Sequence, residues 1–318
     1  MSRVRSLRVD IESQPCVLTS HGLIHITLFS APDFFPDIHG NLTKVEWAHA
    51  VNSKEDLENA LASSNIMMLE ADVVLGTLND SSSKDIIPIM GHPPANTSDL
   101  SLEDFLNTVL NDTKRGVKLD FKTIEVFDAS KSILAKVRDN MTFPVWLNAD
   151  ILRGPVEATG TPVDAKKFLT GAAETFPQST LSIGWTTRYG TEPNVTEGSY
   201  SADDIAAMLD VVKSNDVKQP LTYPVRAGMA ANSLTELQNL ISGSPNGSTL
   251  TIWSHEGDEV DGDKLSDLIL KVGVDKVYVD VPDDVWQEIN LDSGASGMKM
   301  GAMAFGAMLA AVILIRLF

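Results

Sequence analysis

Eight times between residues 44 and 281 the chain places a short apolar run, rich in β-branched residues, beside a longer stretch with helical periodicity. Few folds accept that pattern. The strand-like runs are 44–51 (KVEWAHAV), 67–75 (MMLEADVVL), 116–121 (GVKLDF), 143–149 (FPVWLNA), 180–185 (TLSIGW), 221–227 (LTYPVRA), 249–254 (TLTIWS) and 276–281 (KVYVDV). Several of the helical stretches between them, SKEDLENALAS and SADDIAAMLDVVKS among them, open with Ser followed three residues later by Asp, in the manner of a capping box. Strands alternating with helices predict an α/β protein with a parallel sheet. Eight units over this length predict closure into a TIM (β/α)8 barrel, which usually takes about 250 residues. An open doubly wound sheet is the alternative, and the even spacing of the units favours the barrel.

This reading divides the 318 residues into an N-terminal segment, 1–43, a barrel, 44–290, and a C-terminal hydrophobic segment, 291–318. A hydrophobic share of 43% can furnish the barrel's core. The formal net charge of −18 repels phosphate backbones, which argues against a nucleic-acid partner. Cys16, the single cysteine, can form no intrachain disulfide and no cysteine-rich zinc site.

The two ends point to a membrane and to the secretory route. Residues 300–318, MGAMAFGAMLAAVILIRLF, are apolar except for Arg316, and about 20 such residues cross a bilayer's hydrocarbon core. The small residues of DSGASG just before them fit a glycosylphosphatidylinositol signal, although the polar spacer is shorter than the usual 8 to 12 or so. A transmembrane helix and a GPI signal are both open. At the other end the apolar stretch 22–29 is interrupted by His25 and makes a weak signal peptide, which keeps an intracellular tail-anchored protein as a further alternative. Asn-x-Ser/Thr sequons at Asn41, Asn79, Asn96, Asn111, Asn140, Asn194 and Asn246 argue more strongly for secretion and predict glycosylation on loops and helix ends. The expected location is the cell surface or extracellular space, tethered through the C-terminal tail.

Within the second strand run, Glu70 and Asp72 stand two positions apart among apolar neighbours. Side chains at i and i+2 share a face, so both acids enter one small volume. Carboxylates that close repel unless a cation or hydrogen bonds hold them, and a hard divalent ion suits such oxygens. In a TIM barrel the reactive groups gather at the C-terminal strand ends. Those positions carry His49, Glu70 and Asp72, Asp120 and Lys122, Asn148 and Asp150, Trp185, Arg226, Trp253 with His255, and Asp280. Two imidazoles, three convergent carboxylates, a lysine and an asparagine together make a candidate active site.

In their order and spacing, WAHAVN (47–52), LEADV (69–73), GHPP (91–94) and KLDFKT (118–123) resemble the menorin family. The resemblance runs from about 44 to 285 and takes in WLNADILRGP, LSIGWTTRYG and YPVRAG. It implies a barrel of the phospholipase-C-like phosphodiesterase type, alongside glycerophosphodiester phosphodiesterases and sphingomyelinase D; to those enzymes the likeness is confined to the first three βα units. Carried over residue by residue, it implies His49 and His92 as acid and base with Lys122 beside the phosphate. It also implies Glu70, Asp72 and Asp120 as ligands of one Mg²⁺ or Ca²⁺. Asn52, Lys118, Asn148, Trp185, Arg226 and Trp253 complete the candidate substrate contacts. The chain has HAVN where glycerophosphodiesterases have His-Arg-Gly, and Asp120 where they have Glu, which brings it nearer to sphingomyelinase D. Two functions follow as expectations: a metal-dependent phosphodiesterase acting on a lipid or glycerol phosphodiester, or a non-catalytic extracellular recognition module that retains the barrel and its pocket while binding a cell-surface adhesion protein.

Overall fold

The computed structural model describes residues 29–292, apart from 80–82, 113 and 192, together with a small antiparallel pair, Val17–Thr19 and Gly22–Ile24. Cys16 and the apolar run 300–318 lie outside the described residues, as does most of the 292–297 cluster. Among the described residues no helix is long and apolar enough to cross a membrane.

Eight parallel strands form the barrel: β1 (Trp47–Ala48), β2 (Met68–Leu78), β3 (Gly116–Phe121), β4 (Val145–Leu152), β5 (Thr180–Trp185), β6 (Leu221–Arg226), β7 (Thr249–Trp253) and β8 (Val277–Asp280). Each pairs with its neighbour in chain order. The longer helices between them are α1 (Lys54–Ala62), α2 (Leu102–Asp112), α3 (Ile124–Val137), α4 (Ala165–Thr175), α5 (Ala202–Ser214), α6 (Leu234–Gly243) and α7 (Gly262–Val272). Their starts follow from local chemistry. Ser53, Thr123, Asp164, Ser201 and Asp261 each accept a hydrogen bond from a first-turn backbone N–H, and at Ser201 the reciprocal bond, donated by its own backbone N–H to the Asp204 carboxylate, completes the capping box. The inner stripes follow from spacing. In α7 the buried Leu265, Leu268 and Ile269 recur at i, i+3 and i+4, each worth about 1.5–3 kcal/mol of burial. Phe121 of β3 meets Phe127 of α3, which meets Phe168 of α4, joining sheet to helix ring.

Three strands depart from the expected bounds by more than a residue, one of them the run 143–149, which is shifted to Val145–Leu152. The run 44–51 yields only Trp47–Ala48, because Leu42–Lys44 forms a 3₁₀ turn capped by Asn41 and Ala50 takes a positive φ of 56°. The run 67–75 extends instead to Leu78, because Ile87–Met90 returns antiparallel along Val73–Gly76 and Thr97–Ser98 then pairs with Thr77–Leu78, prolonging the strand beyond the barrel rim.

The cylinder is nearly closed. Among the described residues no strand pairing joins β8 to β1, and side chains bridge that seam instead. Trp47 and Trp146 both pack edge-on against Tyr278 at the N-terminal end of the barrel, over Phe35, Ile38, Leu42 and Val45, so the described part of the N-terminal segment plugs the barrel floor. At the opposite end His49 reaches Asp280. An apolar floor and a polar mouth leave a cavity of about 720 Å³ at the C-terminal ends of the strands.

Candidate active site

The register of the parallel strands sets acids beside acids. Asp72 of β2 pairs laterally with Asp120 of β3, Asp120 with Asn148 of β4, and Asn148 with Ser182 of β5. Two residues lower, Glu70 pairs with Lys118. Alternation turns all of these inward, and Glu70, Asp72 and Asp120 offer oxygens within 4.8 Å of one another.

Each carboxylate is held. Glu70 Oε2 accepts the backbone N–H of Ala50 at 2.9 Å, and the positive φ at Ala50 accompanies that approach. The Asn52 amide brackets Asp72, donating to Oδ2 at 2.8 Å and accepting from the Asp72 backbone N–H at 2.9 Å. Asn148 donates to Asp120 Oδ1 at 2.6 Å and in turn accepts from the Ser182 hydroxyl. The Lys122 ammonium stands between Asp72 at 2.6 Å and Asp120 at 2.5 Å. Burial alone would raise the Asp72 carboxyl, but Lys122 and Asn52 outweigh it and hold its pKa below the usual range. Glu70, with no such lysine in contact, is pushed up by burial and by Asp72 against the opposing pull of His49.

The donor set fits a hard cation. Two oxygens bound to one Ca²⁺ at 2.3–2.6 Å can be at most about 5 Å apart, and these three acids meet that limit. The buried acidic triad could therefore hold a metal ion, and Asn52 and Asn148 orient two of its members as outer partners of a metal site commonly do.

His49, His92 and His255 all line the cavity. His49 Nδ1 lies 2.9 Å from Asp280 Oδ2 and 3.8 Å from Glu70 Oε2. Desolvation would lower its pKa; Glu70 and Asp280 overcome that and push it up to about 9. His92 sits on the exposed loop after Ile87–Met90, its Nδ1 donating to the Pro93 carbonyl at 2.8 Å. A carboxylate and a carbonyl can only accept, so in each ring Nδ1 carries the proton and Nε2 is the remaining working atom.

On the far wall the Arg226 guanidinium makes a bidentate pair with Asp258 at 2.6 and 2.9 Å, and lies over the Trp253 ring at 4.3 Å. Both charged partners are only 3% exposed. His255 packs against the Trp253 ring; burial, Arg226 and His49 lower its pKa to about 4 and leave it neutral at pH 7. Asp150 of β4 also faces the cavity, and burial together with Asp120 pushes its carboxyl up to about 7.

The structure thus gathers His49, Glu70, Asp72, His92, Lys118, Asp120, Lys122, Asn148, Arg226 and Trp253 around one cavity. Asn52 stands just behind it as the clamp on Asp72. Trp185 is placed elsewhere: its ring is buried against Tyr200, its Nε1 has no hydrogen-bond partner, and it does not line the cavity. Sequence spacing put Asp280 on the rim without revealing that it orients His49, since the two are joined only by the seam. Ser182 could have been found as the polar inward position of TLSIGW; Asp258, on a loop, leaves no periodic signal. Of the sequon asparagines, Asn79, Asn96, Asn111, Asn140, Asn194 and Asn246 are exposed, whereas Asn41 is partly buried with its side chain committed to Thr43.

Residues 41–286 match the family described as the Menorin N-terminal domain. Human Protein FAM151B is 39% identical over 215 residues, which cover 68% of this chain and 74% of that protein. Among solved structures the chain is similar to the GH53 catalytic domain of Ignisphaera aggregans (TM-score 0.41, 10% identity, 76% of this chain and 84% of that one). It is also similar to D-psicose 3-epimerase (TM-score 0.35, 10% identity, 61% and 87%).

Proposed function

The chain belongs to the menorin family, and from that premise we propose that it is a metal-dependent phosphodiesterase of the cell surface, acting on a lipid or glycerol phosphodiester. The observation that carries the reading is the convergence of Glu70, Asp72 and Asp120 with His49, His92, Lys118 and Lys122 in one cavity. Such a cavity has the size of a small-molecule site.

The triad would hold one Mg²⁺ or Ca²⁺, which supplies charge neutralisation at a phosphodiester under attack. Lys122 and Lys118 bring further positive charge to the same volume. Glu70 and Asp280 favour the imidazolium form of His49, so the ring must first give up its Nε2 proton, which an ion bound at Glu70 would ease by offsetting that acid's pull; Nε2 then acts as base or nucleophile, and Asp280 fixes the tautomer and stabilises the imidazolium that forms. His92, protonated on Nε2 for this step while Nδ1 stays on the Pro93 carbonyl, delivers that proton to the leaving oxygen. Its place on an exposed loop suits a group that must meet a departing alcohol. Exposed sequons and the apolar tail sequence support a secreted, membrane-tethered setting.

The test is a panel of sphingomyelin, lysophosphatidylcholine and glycerophosphodiesters assayed with Mg²⁺ and with Ca²⁺. Turnover of at least one is expected, with His49→Ala and His92→Ala each slowing it by about 10²- to 10⁴-fold while the fold and ion binding persist. An intact protein that binds an ion and turns over none of them would instead favour the non-catalytic recognition of a cell-surface adhesion protein.

A further inference from the structure

Each aspartate of the acidic triad gives one oxygen to an asparagine and the other to Lys122. Asp72 Oδ2 accepts from Asn52 at 2.8 Å and Asp120 Oδ1 from Asn148 at 2.6 Å, while the Lys122 ammonium meets Asp72 Oδ1 at 2.6 Å and Asp120 Oδ2 at 2.5 Å. Oxygen-to-Ca²⁺ contacts run at about 2.3–2.6 Å, so the Lys122 nitrogen stands where an ion would stand to bridge the same two acids. Two cations cannot share that place. In a site this buried, an ammonium and a divalent ion touching the same oxygens repel strongly.

Charge decides which of the two is the stronger partner. Lys122 brings one positive charge and contacts two of the three acids, leaving Glu70 with His49 at 3.8 Å as its close ion pair. A divalent ion brings twice the charge and can meet all three acids, because their oxygens lie within 4.8 Å of one another. Acids also outnumber lysines and arginines around the cavity as a whole, which favours the added charge.

Lys122 is also the member of the site best placed to move. It follows the last residue of β3, and its side chain is 21% exposed where that of Asp72 is 6%. Its backbone stays fixed, since its N–H bonds the Val73 carbonyl at 3.2 Å and Thr123 next to it caps α3. A held backbone with a flexible aliphatic stem lets the ammonium swing while the strand does not. The residue lines the cavity, so an ammonium released from the aspartates stays within it.

We infer that Lys122 competes with the divalent ion for Asp72 and Asp120, and that its ammonium turns to a phosphate only once the ion has taken those oxygens. The ion therefore binds before the anion, and each strengthens the other's hold. This rests on the ion site proposed above and gives that site an order of binding.

The test is calorimetry on the full-length, chelator-treated chain, titrated first with Mg²⁺ and then, with Mg²⁺ saturating, with inorganic phosphate. Lys122→Met keeps the length of the stem and removes its charge. It is expected to bind Mg²⁺ about tenfold more tightly than the unaltered chain and phosphate about tenfold more weakly, while Lys122→Arg, which keeps the charge, holds Mg²⁺ close to the unaltered affinity. Opposite shifts from one substitution are the signature, since a lysine that only props the site would weaken both. Mg²⁺ affinity unchanged or lowered in Lys122→Met overturns the competition and leaves the ion site standing; phosphate held equally by both proteins overturns the turn toward the anion. Should Lys122→Met not fold, amine acylation of the unaltered chain read by mass spectrometry decides. Lys122 should then label slowly in chelator and several-fold faster in saturating Mg²⁺, and an unchanged rate overturns the inference. No Mg²⁺ binding by any of the proteins removes the ion site and the inference with it.

Discussion

His49 shows how two acids can reverse what burial does to one imidazole. Desolvation favours the neutral ring, but Glu70 and Asp280 hold the pKa near 9, well above the ordinary 6.5. A folded-state value above the unfolded one means that this group stabilises the fold fully below about pH 6.5 and loses that contribution as pH rises through about 9. In chelator-treated protein, urea unfolding measured from pH 6 to 9.5 should therefore show stability falling across that window, with a flatter profile in Asp280→Asn. Identical profiles would remove Asp280 as the partner. At this scale the sequence was most legible where chemistry repeats at short range. Glu70 and Asp72 are readable as a pair because strand alternation forces i and i+2 onto one face, and Asp120 with Lys122 repeats the same logic one strand later. Asp280 is 231 positions from His49, and no local rule joins them. Trp185 misled for a related reason: a residue at a strand's end can turn either into the cavity or behind its wall, and only packing against Tyr200 decides which.

Among the elements, helices were easier to bound than strands, since caps are written locally. Ser201 and Asp204 form the box that their spacing announces, and Ser201→Ala should cost about 1 kcal/mol of global stability, read as a lower unfolding midpoint with unchanged denaturant slope. No loss would mean that the end of α5 is held by its tertiary contacts alone. Strand ends depend on partners that lie elsewhere in the chain. Apolar residues at 44–51 look like a full strand, yet only two residues pair, because a 3₁₀ turn precedes them and the backbone then bends so that Ala50 reaches Glu70. The second strand outgrew its apolar run because Ile87–Met90 and then Thr97–Ser98 supply ladders that no periodicity in 67–75 reveals. That extension has a consequence for the site, since it carries the chain to Gly91 and sets His92 at the rim.

Taken whole, the molecule is a cylinder joined along its last seam by side chains, with an aromatic plug at one end and ionisable groups at the other. Eight βα units were enough to foresee the barrel; the manner of its closure was not in the pattern, because hydrophobic spacing says nothing about which edge strands fail to pair. The far wall depends on one buried ion pair, Arg226 with Asp258, which ties β6 to the loop after β7. Removing one partner of such a pair strands a buried charge, so Asp258→Ala should cost about 3–5 kcal/mol in denaturant unfolding. A change within experimental error would mean that water or another acid reaches Arg226. The central claim is that Glu70, Asp72 and Asp120 form a divalent-ion site, and calorimetric titration of the chelator-treated chain with Mg²⁺ and Ca²⁺ tests it most directly. One ion per chain is expected, bound below millimolar concentration and lost in Asp72→Asn; no binding at millimolar ion, or binding unaltered by that substitution, would contradict it.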